Sequence, residues 1–354
     1  MCARSEYAVD DVSRVTYVDV EDAGSFEAAL RGLAPDFVHL HDYADPDVVA
    51  IVRRVAPAVL SAHAYPGCAP NTHYFTPGAE CDRPHGPGCV ANMALRGCPH
   101  ARDPRPVPRK YRQASRRMAA YARADGVVGH SAAVVRHLTR NGFDAHRVPL
   151  FTPMQSLRPQ DGADGVDDRH VLFVGRVVPE KGLDVLLRSL GEAQATLTIV
   201  GNGFALAPAR ALAGELAISG RVRFAGWLAG DELTAAYRRS TVVAVPSLWP
   251  EPFGLVGLEA MAVARPVVAS MTGGIVDWLE SGITGLGVAP GDVQQLREAL
   301  TTVLDDPALA RTMGRAGRRS LDARFTARTH VEELEAVYTR AQLRWSAPLR
   351  QRVG

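Results

Sequence analysis

Lysine is almost missing from this chain: of its 40 basic residues only Lys110 and Lys181 are lysine. The heavy use of arginine and alanine suggests a GC-rich bacterial genome. Against that bias a retained lysine marks a site that wants a compact ammonium rather than a guanidinium fork, the alternative being chance survival. Net charge is scarce as well, formally +2, which removes any global case for nucleic-acid binding or an acidic tail. No apolar run approaches the roughly 18 residues of a helical membrane span. The opening stretch MCARSEYAVDDVSR has no apolar core of a secretory signal. These absences predict a soluble, cytoplasmic protein. There are five cysteines and no C-x-x-C pair, so the usual zinc signature is missing.

The chain has 354 residues and is 47% apolar, enough for two domains with a buried sheet each. Short apolar strands alternate with amphipathic helices, which implies parallel sheets with crossover helices. In the first half the pattern predicts strands at Arg14–Asp19, Phe37–His41, Ala58–Ala62, Gly126–His130 and Arg147–Leu150. Helices are predicted between them at Ser25–Gly32, Asp47–Val55, Val107–Arg123 and Ala132–Arg140. The segment Tyr65–Arg105 is rich in Pro, Gly, Cys and His and shows no period; a connection of that length is usually functional or mobile. After a polar linker, Pro159–Arg169, the series resumes with strands at His170–Gly175, Thr196–Val200, Val222–Ala225, Thr241–Val245 and Pro266–Ser270. The expected division is an acceptor domain over 1–158 with the insert 65–105, a donor domain over 159–325 and a closing helix over 326–354. Two such domains facing a cleft place ligands at the carboxyl ends of strands.

Three segments of the second half carry chemistry. In FVGRVVPEKG, a strand ends at Gly175 and a loop bearing Arg176 and Lys181 runs into a helix. Free backbone amides, a positive helix end and two cations suit a diphosphate; pairing of both cations with Glu180 is the bland alternative. In IVGNGFAL, Gly201 and Gly203 open like a dinucleotide fingerprint, but the third glycine is replaced by Leu206, which disfavours a NAD site; a tight turn that sets Gly201 and Gly203 beside the base or phosphate of a nucleotide donor and a plain strand-to-helix turn both stay open. In VPSLWPEPFGLVGLEAMA, Glu251 precedes a helix that is expected to start near Phe253, and Glu259 lies roughly two turns in. The pair can present one carboxylate to a sugar and the other to a ribose. Glu259 stands in an apolar run, where an unpartnered charge is costly, so it calls for a ligand or a partner.

The segment E-P-F-G-L-V-G-L-E resembles the E-x7-E signature of family 4 glycosyltransferases, a retaining family with the GT-B fold. The loop V-G-R-V-V-P-E-K-G-L-D is similar to that family's Arg/Lys diphosphate clamp, and the stretches from Gly273 and Thr284 match its later glycine motifs. The family's P-E after the glycine pair is Val276–Asp277 here. The resemblance implies that Arg176 and Lys181 hold the donor diphosphate, that Glu259 binds the ribose and that Glu251 lies against the transferred sugar. It further implies backbone contacts from Phe253, Gly254, Leu255 and Val256, and a base near Gly226 and Trp227. In the first half it places His63 in the cleft beside the donor sugar. His41, at the tip of the neighbouring strand, is a weaker candidate, and His39 is assigned to the opposite face. Ser131 matches a family serine that caps the next helix.

Cys68, Cys81, Cys89 and Cys98 all fall in the irregular segment. Structural zinc, reduced thiols over an acceptor loop and disulfides stay open as readings, the last disfavoured in a cytosol. Family members open with a strand and a glycine-rich loop, and that unit is not recognisable before Arg14. Thr326–Trp345 reads as an amphipathic helix returning to the first domain, and its arginine-rich end could touch anionic lipid. The expected activity is transfer of a hexose-type sugar, with retention, from a nucleotide-diphosphate donor to an unidentified glycan, lipid or small molecule, with no cofactor or catalytic metal. A catalytically silent nucleotide-sugar-binding partner protein is the alternative.

Overall fold

A computed structural model describes residues 22–41, 44–67, 74–76, 79–81, 83–95, 107–157, 167–191 and 193–346. The strand expected at Arg14–Asp19, Cys68, Cys98 and the arginines beyond 346 lie outside the described residues.

The first half runs α1 (Ala23–Leu33), β1 (Val38–His41), α2 (Pro46–Val52), β2 (Ala58–Ala62), β3 (Tyr74–Thr76), β4 (Ala79–Glu80), α3 (Gly88–Leu95), α4 (Val107–Arg123), β5 (Gly126–Gly129), α5 (Ala132–Arg140) and β6 (Ala145–Arg147). Among the described residues β1, β2, β5 and β6 form one parallel sheet in the order β1-β2-β5-β6. The strand expected at Arg147–Leu150 sits earlier. Residues after Arg147 leave the sheet edge, and the Val148 amide makes a last bond to the Gly129 carbonyl. The segment without sequence period holds helix α3 and the short β3–β4 hairpin.

The second half runs β7 (His170–Val174), α6 (Leu183–Ser189), β8 (Thr196–Val200), α7 (Leu206–Glu215), β9 (Val222–Gly226), α8 (Gly230–Arg239), β10 (Val242–Val245), α9 (Leu255–Ala262), β11 (Val267–Ser270), β12 (Gly285–Val288), α10 (Val293–Asp305), α11 (Pro307–Arg324) and α12 (Ala327–Ser346). Its sheet is parallel, in the order β12-β11-β10-β7-β8-β9. Strands such as VVAV at β10 and VVAS at β11 are buried throughout, as a sheet covered on both faces demands. One apolar layer joins α6, α7 and α10 to the sheet, and the other joins α8, α9 and Trp278. Between β11 and β12 the chain makes a single 3-10 turn, Gly273–Asp277.

Helix α12 and Arg318 help tie the halves together. Helix α12 lays Val337 and Ala341 on Val59, Val128 and Val148 of the first sheet. Arg318 of α11 donates to the carbonyls of Gln155, Leu157 and Ala262, pinning the chain before the linker to the second domain. Five donors in a rigid fork let one guanidinium satisfy several carbonyls at once. No helix among the described residues is long and apolar enough to cross a membrane.

Candidate functional site

Strand β7 delivers Arg176 and Lys181 at its carboxyl end. Gly182 follows with φ +66, and a Cβ there would stand 2.0 Å from the Pro246 carbonyl, so only glycine lets this loop lie against the loop after β10. That close approach brings Lys181 to Glu251. The Lys181 ammonium donates to Glu251 Oε1 at 2.6 Å and lies 5.8 Å from the Trp249 ring. Ser247 Oγ donates to the same carboxylate oxygen at 2.5 Å. Glu251 is 4% exposed, so its charge is compensated where water cannot screen it. Lys181 therefore pairs with Glu251, not with Glu180 as the bland alternative had it. Arg176 is exposed, and its backbone carbonyl accepts from the Val178 amide.

Gly201 and Gly203 follow β8. A Cβ on Gly201 would meet the Gly175 carbonyl at 2.0 Å, and one on Gly203 the Val177 carbonyl at 2.2 Å. Both glycines thus let the β8 loop pack on the Arg176 loop. The nearby aromatic Trp227, after Gly226 at the end of β9, is largely exposed, as is Phe204.

Helix α9 begins at Leu255 with Gly254 as its N-cap, φ +88, and no side chain caps it. Phe253 is buried in the loop before it. The later start leaves Glu259 about one turn in, nearer than the two turns expected, because Pro252 and the left-handed Gly254 delay helical geometry. The first-turn amides of Leu255 and Val256 lack intrahelical acceptors, and the helix end favours an anion. Gly257 makes room for the Trp278 indole, which a Cβ would meet at 2.2 Å. Glu259 is partly buried and accepts from the Tyr237 hydroxyl at 2.5 Å. Burial pushes its carboxyl above the usual range, and the Tyr237 bond opposes that shift. Tyr237 on α8 is the partner that its apolar surroundings called for.

The first domain holds a row of imidazoles at the carboxyl ends of its strands. His41 Nδ1 and His63 Nε2 share a hydrogen bond of 2.9 Å. The His63 ring packs on His130 with centroids 4.5 Å apart, and His130 faces His330 of α12 at 6.4 Å. His39 lies on the same face as His41, ring centroids 4.2 Å apart. Its assignment to the opposite face was mistaken, since residues two apart on a strand share a face. His39 bonds Ser61 Oγ and the Tyr338 hydroxyl, both at 2.8 Å. Burial, then the neighbouring imidazoles, depress His39 to about 3. Burial depresses His130 to about 4, partly offset by its bond to the Val148 carbonyl. His130 is 2% exposed and its Nε2 has no hydrogen-bond partner.

Ser131 caps α5 through the Val134 amide. Cys81 and Cys89 are free thiols, and among the described residues no group of three or more His, Cys, Asp or Glu could hold a metal ion. Ser247, Trp249, Tyr237 and His130 were not singled out from sequence. Of these, His130 alone carried a signal, its place at the carboxyl tip of a strand.

Two parallel-sheet α/β domains with these loops define the GT-B glycosyltransferase architecture. Residues 157–320 match the family model of glycosyl transferases group 1. The glycogen synthase of Mycobacterium tuberculosis is 36% identical over 208 residues, covering 57% of this chain and 48% of that protein. The D-inositol 3-phosphate glycosyltransferase of Mycobacterium bovis is 37% identical over 235 residues, covering 61% and 48%. The chain spans about half the length of these curated relatives. Among solved structures, sucrose-phosphate synthase from Thermosynechococcus elongatus aligns with a TM-score of 0.69 at 24% identity, over 90% of this chain and 76% of that one. Anabaena HepE in complex with UDP aligns with a TM-score of 0.67 at 19% identity, over 89% and 82%.

Proposed function

We propose that this chain is a retaining glycosyltransferase that moves a hexose-type sugar from a nucleotide-diphosphate donor to a glycan, lipid or small-molecule acceptor. The observation that carries the reading is the partly buried Lys181–Glu251 pair, which joins the loop after β7 to the loop that leads into the uncapped start of α9. The diphosphate gains charge as the bond from the anomeric carbon to its oxygen breaks. Lys181, Arg176 and the α9 amides stabilise that charge without reorganising, which is where electrostatic catalysis gains most. The acceptor hydroxyl forms the new bond to the same carbon, and its proton passes to the departing phosphate oxygen. Glu251 then faces the sugar hydroxyls, Glu259 the ribose and Trp227 the base, with His63 on the acceptor side. No step requires a metal. HepE, whose structures hold UDP and UDP-glucose, makes uridine nucleotides the first donors to try.

The test is a thermal-shift screen of UDP-, GDP-, ADP- and TDP-sugars on the full chain, followed by product stereochemistry for the donor that stabilises most. Stabilisation by one class and an anomeric configuration equal to the donor's are expected. No stabilisation by any donor, or an inverted product, overturns the reading.

A further inference from the structure

The turn Gly273–Asp277 is gripped from two sides. On one side it lies on the backbone that carries Glu251. The Gly274 amide donates to the Glu251 carbonyl at 2.6 Å. A Cβ on Gly273 would stand 2.3 Å from that carbonyl, and one on Gly274 2.6 Å from the Pro252 carbonyl. The next residue after the turn, Trp278, donates its indole N–H to the Phe253 carbonyl at 2.7 Å. The glycine pair is therefore required by backbone-to-backbone contact with the segment Glu251–Phe253.

On the other side the turn meets the first domain. Asp277 Oδ2 accepts from the Ala132 amide at 2.8 Å, the first N–H of α5. Ser131 caps the Val134 amide of that helix, so the Ser131 hydroxyl and the Asp277 carboxylate satisfy different orphan donors of one helix N-terminus. Arg147, the last residue of β6, pairs with the same Asp277 oxygen at 3.4 Å. The Asp277 side chain is 6% exposed, and a Cβ on Gly274 would stand only 2.8 Å from the Ser131 Cβ. A carboxylate from the donor domain thus serves as helix cap for the acceptor domain, where the positive helix end favours its charge.

We propose that Asp277 is a positioning residue that couples docking of the acceptor domain to the placement of Glu251. The coupling runs from α5 through the Asp277 carboxylate into the glycine turn and on to the Glu251 carbonyl. With the cap in place, the Glu251 backbone is held at the setting that gives its side chain to Lys181 and Ser247. Without it, the turn loses its anchor on the first domain and the Glu251 loop loosens. The consequence for sugar transfer rests on the reading of Glu251 given above; the mechanical coupling does not.

The experiment is hydrogen–deuterium exchange of the full chain, wild type against Asp277→Ala, Asp277→Asn and Arg147→Ala. In Asp277→Ala, exchange is expected to rise about tenfold at the first turn of α5 and also across Ser247–Gly254, with α10 unchanged as an internal control. Asp277→Asn, which keeps an acceptor but no charge, is expected between the two, and Arg147→Ala shifts both segments less. Faster exchange confined to α5, with Ser247–Gly254 at the wild-type rate, overturns the coupling. If Asp277→Ala does not fold, Asp277→Asn and Arg147→Ala carry the same comparison. In parallel, UDP affinity and turnover of UDP-glucose are measured. A positioning role predicts turnover down about tenfold with UDP affinity within about threefold of wild type, and partial rescue by Asp277→Glu. Equal loss of both without rescue contradicts it. Failure of the wild type to bind any nucleoside diphosphate refutes the glycosyltransferase reading, while the exchange result still decides the coupling.

Discussion

Replacing Lys181 by alanine removes one partner of a buried ion pair and separates stability from function. Glu251 would keep only Ser247 as a partner in a site where its side chain is 5% exposed. Removing one member of a fully buried pair costs about 3–5 kcal/mol. Lys181 is 22% exposed, so water screens part of the interaction, and about 2–3 kcal/mol is the working figure. For a domain of this size a urea slope of about 2 kcal/mol per molar turns that loss into a midpoint lowered by about 1 M. The assay is urea unfolding followed by tryptophan fluorescence, with Trp249 reporting from the pair itself. The double variant Lys181→Ala/Glu251→Gln removes the orphaned charge and should recover most of the midpoint, yet bind no nucleoside diphosphate better than the single variant. A double variant as unstable as Lys181→Ala, or a single variant as stable as the wild type, would refute the reasoning.

Acidification should destabilise the fold through the imidazole row. His39 at about 3 and His130 at about 4 are neutral when folded and take up protons near 6.5 when unfolded, so their contribution is complete above pH 6.5 and is lost as pH falls towards 4 and below. Melting temperature against pH should show this decline, and His130→Asn should flatten it; a decline of the same steepness in that variant contradicts the account. Glu259→Gln should raise the melting temperature at pH 7, because burial disfavours the charged carboxylate, while weakening nucleotide binding; a lower melting temperature counts against the proposed trade-off. Tyr237→Phe, which leaves Glu259 without its hydroxyl partner, should cost about 1–3 kcal/mol by chemical denaturation. Gly203→Ala should cost about 2–4 kcal/mol, since its methyl meets a backbone carbonyl that cannot yield; an unchanged unfolding midpoint would show that the two loops are not packed as described.

Much of the second domain is legible in sequence because its strands are continuous apolar runs and its turns are marked by glycine. Val242–Val245 and Val267–Ser270 fall where the pattern puts them. The start of α9 was misplaced because Phe253 looks helical by hydrophobicity, whereas Gly254 at positive φ sets the boundary. The pairing of Lys181 with Glu251 could not be read, because it depends on two loops 70 residues apart meeting at Gly182 and Pro246. Glu259 needed a partner by charge and burial alone, but only the fold names Tyr237. The histidines show the opposite failure. His39 and His41 lie two apart on one strand, and the period-2 rule places them together, yet a contact with Tyr338 of a helix 299 residues away is beyond local pattern. Val276–Asp277 departs from the motif it resembles, and only the docking of α5 gives that departure a physical role.

The most direct measurement is calorimetric titration of UDP, GDP, ADP and TDP into the wild type, Lys181→Ala and Arg176→Ala. Micromolar binding of at least one nucleoside diphosphate, weakened about tenfold or more by each substitution, is the predicted result. Wild-type affinity in both variants would mean that these two cations do not hold a pyrophosphate.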